Sequence, residues 1–153
     1  MRLELVPIGT VVGGRTDPHD DDWSVERALI RLDADRYGPE SLAGLTDFSH
    51  LEVVFQFHLV APEDIRQGAR RPRGNPDWPL VGIFAQRAKN RPNRLGVSRC
   101  RLLGVDGLDV HVAGLDAIDG TPVLDIKPYL VEFGPAGEIT QPVWATELMR
   151  SYY

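Results

Sequence analysis

Residues 51–60 constrain the fold of this chain more than any other stretch. In Leu51-Glu52-Val53-Val54-Phe55-Gln56-Phe57-His58-Leu59-Val60, the side chains of Leu51, Val53, Phe55, Phe57 and Leu59 fall on one face and those of Glu52, Gln56 and His58 on the other. Successive side chains of an extended chain point to opposite sides, so this alternation predicts a strand half-buried on a core. Shorter runs of the same kind recur at 4–11, 28–32, 80–85, 98–105, 108–113, 123–126 and 130–133, several of them separated by turn pairs such as Asp106-Gly107 and Asp119-Gly120. Many short strands with that punctuation predict an all-β, barrel-like single domain over residues 1–153 rather than a doubly wound sheet. One or two short helices are expected beside it. Pro39 opens one through 41–45, and Pro142 opens another carrying Trp144, Leu148 and Tyr152 at four-residue spacing, a stripe that packs on a core or a subunit partner.

A chain of 153 residues, 42% apolar and 25% charged, is large enough to bury a core without disulfide staples. Its one cysteine, Cys100, alternates with Arg99 and Arg101 and reads as an inward structural thiol, which fits a reducing, cytoplasmic setting. No apolar run approaches the roughly 20 residues of a membrane helix, and residues 1–7 do not read as a signal peptide, so a soluble protein with no membrane partner is expected. His19, His50, His58 and His111 lack paired-ligand spacing, and no metal is expected. The net charge of −5 is unevenly spread: residues 66–101 hold ten of the 17 cations against one acid, Asp77, giving that segment +9 and the remainder −14. Two readings stay open for it. It is either a phosphate-contacting patch for a nucleic acid or a solvated, carboxylate-paired surface.

Chemistry concentrates in two segments. From Gly82-Ile83-Phe84-Ala85 the chain enters Gln86-Arg87-Ala88-Lys89-Asn90-Arg91-Pro92-Asn93-Arg94-Leu95-Gly96-Val97-Ser98, a loop dense in cations and amides. Asparagine tolerates left-handed turns, proline sets the bend, and the arginine fork suits a carboxylate or phosphate, so such a loop can grip an amino-acid moiety. The second segment runs from Gly114 to Tyr129. There Asp119-Gly120 is a hairpin turn by itself, while Asp125, Lys127 and Tyr129 alternate along one face. That face is either functional or an Asp125–Lys127 surface ion pair with Tyr129 packed beside it. A dinucleotide-type glycine fingerprint with a helix behind it is absent.

Together with Pro7-Ile8-Gly9 and the stretch from Phe48-Ser49-His50-Leu51 to Phe57-His58, these segments resemble the TrmO (TsaA-like) family of small β-barrel methyltransferases that use S-adenosylmethionine. Relative to the family loop, Gln86 stands for a threonine, Ala88-Lys89 for serine-proline and Arg94 for a second proline. The resemblance implies S-adenosylmethionine held by Phe57, His58, Leu59, Arg87, Val97 and Leu115-Asp116-Ala117-Ile118, with the acceptor read by Gln86, Lys89, Asn90, Arg91, Asn93 and Arg94. Asp125, Lys127 and Tyr129 are then the candidate catalytic set, without a base singled out. It also implies a homodimer, with threonylcarbamoyl-modified adenosine beside a tRNA anticodon as acceptor. A small-molecule acceptor and a non-catalytic cofactor-binding module are the alternatives.

Overall fold

The alternation at 51–60 becomes strand β3 (His50–Gln56), with Leu51, Val53 and Phe55 buried and Glu52, Val54 and Gln56 partly exposed. In the computed structural model, which describes residues 1–153, β3 is one stave of a closed antiparallel barrel. The other staves are β1 (Gly9–Val12), β2 (Arg27–Leu32), β6 (Leu95–Asp106), β7 (Asp109–Ala113) and β8 (Pro122–Pro128), and the order around the wall is β1-β2-β7-β6-β3-β8. A two-residue ribbon, β4 (Ala69–Arg70) with β5 (Val81–Gly82), stands apart from it.

Register decides which side chains fill the barrel. Leu51, Val53 and Phe55 oppose Cys100, Ser98 and Gly96 of β6, and directly opposed residues share a face. Cys100 therefore points inward, as expected, and burial followed by the nearby Asp116 charge pushes its thiol up to about 12. The twelve-residue β6 turns a corner: residues 95–101 pair with β3 and 101–106 with β7, with a register shift between Leu102 and Gly104. Val11, Ile30, Val110, Val112 and Val123 complete the centre of the core. Gly9 opens β1 where a Cβ would collide with the Arg31 carbonyl of β2, so glycine is required there.

Three expected strands are cut short for physical reasons. The run at 130–133 is a 3-10 turn (Val131–Phe133) with Val131 and Phe133 exposed. Pro128 has no amide to donate, and the Tyr129 amide bond to the His50 carbonyl is the last rung before the chain leaves the sheet. The run at 80–85 is extended only over β5, after which Ile83–Ala85 turns back, closed by the Gln86 amide on the Ile83 carbonyl. Residues 4–8 precede β1 instead of forming part of it, and the expected helix at 41–45 is two 3-10 turns, Pro39–Leu42 and Leu45–Asp47, broken at Gly44 with φ of 85°. The second expected helix is present as α1 (Val143–Met149), with Pro142 capping rather than entering it. The chain after α1 docks on the loop between β1 and β2, through the Asp22 and Trp23 amides on the Ser151 and Tyr152 carbonyls. No helix is long and apolar enough to cross a membrane.

Candidate functional site

One loop unread as functional in the sequence, 15–23, helps build the site. Arg15 is buried, its guanidinium 3.8 Å from the Trp23 ring centre, with Nε on Glu26 and its terminal nitrogens on the carbonyls of His19, Asp21 and Asp22. That single side chain gathers a run of acids into an ordered loop and sets Pro18 on the rim of a cleft. The only sequence signal for it is a lone arginine ahead of a stretch rich in aspartate.

The cleft, about 220 Å³, is lined by Pro18, Phe57, His58, Leu59, Val60, Asp64, Lys89, Asn90 and Ile118. It lies where β3 ends, so the chain after Gln56 supplies one wall, the cation-rich loop a second and the segment after β7 a third. Phe57 is fixed by an edge-on contact with core Phe55, ring centres 5.3 Å apart, and its amide bonds the Arg94 carbonyl. Asn90 Nδ2 donates to the Asp64 carbonyl at 3.3 Å, and Lys89 Nζ to the Pro18 carbonyl at 3.3 Å, so the loop is tied to both neighbouring walls. A larger, more open depression of about 340 Å³ lies against β1 and β2. It contains none of the candidate residues, and its one cation, Arg31, is clamped by both carboxylate oxygens of Asp109, so the smaller cleft is the candidate site.

The other candidate residues are distributed as follows. Leu115 and Ala117 are buried in the core beneath the cleft. Arg87, Val97 and Asp116 belong to a neighbouring cluster: Arg87 Nη2 donates to the Val97 carbonyl at 3.0 Å, and the Tyr152 hydroxyl donates to Asp116 Oδ2. Asp116 Oδ1 and Ser98 Oγ are buried without a hydrogen-bond partner, and Tyr152 and Tyr153 both have phenol groups pushed up by burial and then by Asp116. Gln86 is buried, its amide nitrogen donating to the Arg70 and Val81 carbonyls at 2.9 Å each, so it joins the two strands of the ribbon and does not face the cleft. Arg91 Nη1 donates to the Gln86 carbonyl at 2.7 Å. Asn93 and Arg94 adopt left-handed φ of 63° and 53°, and Arg94 Nη1 donates to the Val60 carbonyl at 2.7 Å, bracing the cleft wall from behind.

Asp125, Lys127 and Tyr129 lie on the outer wall of the barrel. Lys127 opposes Glu52, and Asp125 opposes Val54, whose side chains point away from the core. Lys127 Nζ pairs with Asp125 Oδ2 at 2.7 Å, which raises the Lys127 ammonium above its usual value, while Arg99 pairs with Glu52 and lies over the Tyr129 ring. None of the three lines the cleft.

The model of the tRNA-methyltransferase O N-terminal domain family matches residues 18–134, a span that takes in every residue of the cleft. The chain belongs to this family. Its TrmO-type relatives include a human tRNA (adenine(37)-N6)-methyltransferase, 36% identical over 122 residues, which are 78% of this chain and 27% of that protein. They also include a probable S-adenosyl-L-methionine-binding protein of Methanothermobacter thermautotrophicus, 33% identical over 144 residues, 90% of this chain and 97% of that one. A crystal structure of TrmO from Pseudomonas aeruginosa superposes with a TM-score of 0.74 at 30% identity, covering 91% of this chain and 61% of that one. The chain thus spans about a quarter of its human relative but nearly all of the archaeal one.

His58 is the titratable group of the cleft whose environment is felt most clearly. Partial burial disfavours its cationic form and lowers its pKa below the ordinary histidine value of about 6.5. The unfolded chain therefore takes up the proton first. The contribution of His58 to stability is present at neutral pH and is lost as pH falls through the ordinary value towards the depressed folded one. Proton NMR should place the His58 midpoint below that of an exposed histidine, and His58→Gln should flatten the decline in stability between neutral pH and pH 5. A midpoint at or above the ordinary value contradicts the burial argument.

Proposed function

We propose that this chain binds S-adenosylmethionine in the cleft and transfers its methyl group to an adenosine of tRNA, the threonylcarbamoyl-modified adenosine beside the anticodon. The observation that carries this reading is the convergence of Phe57, His58, Leu59 and Ile118 with Lys89 and Asn90 on one cavity, from three separate stretches of chain. An apolar cavity with a few polar groups suits a nucleoside carrying an amino-acid tail. Phe57 and Ile118 exclude water, Lys89 and the Asn90 amide face the anionic end, and Asp64 accepts from hydroxyl or ammonium groups. When bound, the cofactor supplies a methyl group on an already activated sulfonium. The protein's own work is alignment of the acceptor and removal of its proton. His58, whose cationic form partial burial disfavours, is the imidazole the cleft offers to accept one.

At about 220 Å³ the cleft is smaller than the roughly 300–1,000 Å³ typical of small-molecule sites. A homodimer is part of the proposal, because a second copy laid on the outer wall would extend the cleft and bring Asp125, Lys127 and Tyr129 to it. The cytoplasmic setting rests on the lone buried Cys100. A second reading, binding without turnover, is favoured by the placement of those three residues outside the cleft and by the near full-length match to a relative named only for binding. Calorimetry with S-adenosylmethionine should show binding that Lys89→Ala weakens by about 1.5–3 kcal/mol, as for a charged hydrogen bond. Absence of heat at millimolar cofactor would end the proposal. Labelled cofactor offered with bulk tRNA and then with small metabolites separates the three readings by where the label appears.

A further inference from the structure

The segment 66–101 contains two aromatic residues, and the structure uses them in opposite ways. Trp78 is half-buried, its Nε1 donating to Glu147 at 2.7 Å. Phe84 is 75% exposed. A phenylalanine ring left in water forgoes the burial that ordinarily recruits it to a core. The exposure here is imposed by a built turn: Ile83, 1% exposed, anchors it from below, the Ile83 amide bonds the Gly68 carbonyl at 2.9 Å, and buried Gln86 fastens the turn to both strands of the ribbon. Phe84 is thus held outward by rigid backbone.

The charge around that turn is equally uneven. Arg66, Arg70, Arg71 and Arg87 form no ion pair, although Arg73 and Arg99 of the same segment do. Arg71 and Arg87 are oriented by backbone carbonyls, of Trp78 and Val97, which fix the guanidinium without neutralising it. The Arg66 amide bonds the carbonyl of Asn90, a cleft residue, at 3.0 Å, so the backbone that carries Arg66 adjoins the cleft wall.

We infer that Phe84 is a stacking platform for an unpaired base of the RNA, and that Arg66, Arg70, Arg71 and Arg87 hold the phosphates flanking that base. The inference rests on the tRNA reading of the cleft and goes further, naming the surface that would engage the loop of the RNA. Single-stranded RNA is recognised by splaying a base onto an aromatic face while cations follow the backbone. An outward ring among uncompensated guanidiniums, beside a cleft for the methyl donor, has that chemistry. A base next to the acceptor would stack on Phe84 while the acceptor enters the cleft.

The test is fluorescence anisotropy with an anticodon stem-loop RNA that carries the threonylcarbamoyl-modified adenosine. Phe84→Ala should weaken binding at least about ten-fold with an unchanged salt slope, since no phosphate contact is lost. Phe84→Trp should retain affinity and show indole quenching on RNA addition. Arg71→Ala should reduce the salt slope by about one. Affinity for S-adenosylmethionine should be the same in wild type and Phe84→Ala, which also reports on folding. If wild type binds RNA and Phe84→Ala binds it equally, the platform is refuted while the tRNA reading stands. If wild type binds the cofactor but no RNA, both fail. If sedimentation shows that Phe84→Ala dissociates a dimer formed by wild type, the ring belongs to a contact between copies and the platform is again refuted.

Discussion

Replacing Arg94 by proline, the residue that the family loop carries there, should destabilise this chain by about 3 kcal/mol or more. Proline fixes φ near −65°, and Arg94 sits at φ 53° directly after Asn93 at φ 63°. The substitution also deletes the Arg94 amide bond to the Arg91 carbonyl and the guanidinium bond to the Val60 carbonyl. Because Val60 lines the cleft and Phe57 bonds the Arg94 carbonyl, cofactor affinity should fall with stability. Arg94→Gly provides the contrast. It relieves a left-handed cost of about 1 kcal/mol while losing one side-chain bond of similar worth, so its stability should stay close to wild type. Thermal denaturation of both variants decides the matter, and a proline variant as stable as wild type would show that the loop can revert to another path.

Phe55→Ala should cost about 3–5 kcal/mol, the range for truncating a buried phenylalanine whose site cannot collapse. Collapse is opposed on each side. Phe55 is 2% exposed, its β6 neighbour is Gly96, which has no side chain to move in, and Phe57 leans edge-on against its ring. A Cβ at Gly96 would lie 2.5 Å from the Phe55 ring, so the two positions are fitted to one another. Freed from that contact, Phe57 should lose its fixed position in the cleft. Chemical denaturation should report the stability loss, and calorimetry at a temperature where the variant is still folded should report weakened cofactor binding. A loss below about 1 kcal/mol would mean that neighbouring side chains refill the space.

What the sequence made legible was periodic. Strands β2, β3, β6, β7 and β8 were visible because one face of each is buried, and burial on one face writes an alternating pattern. The run at 130–133 carries apolar residues as well, but Pro128 and the lack of a further partner strand end the ladder, and such a limit is set by the fold rather than by the run itself. The cleft shows the same division. Phe57, His58, Leu59 and Ile118 were named together from a family likeness, and they do meet with Lys89 and Asn90 on one cavity. The tertiary partners that occupy Gln86, Arg91 and Arg94 were not legible, because each bonds a backbone carbonyl whose position depends on the folded loop. Lys127 and Asp125, only two residues apart, were weighed as an ion pair, and the structure contains that pair.

The closure of the barrel bears on how the chain reaches its native state. Strand β8 is the closing stave: it pairs with β1, joining Gly9 to Val123, and with β3, joining Leu51 to Pro128. Until residues 122–128 have left the ribosome, β1 and β3 each present an open edge with apolar side chains behind it. Pairings so distant along the chain require loop closure before they yield any contact energy, which places folding in the millisecond-to-second range characteristic of β-barrels. Synthesis of the last third of the chain is thus an interval of exposed edges, which a chaperone would cover and which slow translation through 114–122 would prolong at the expense of native yield.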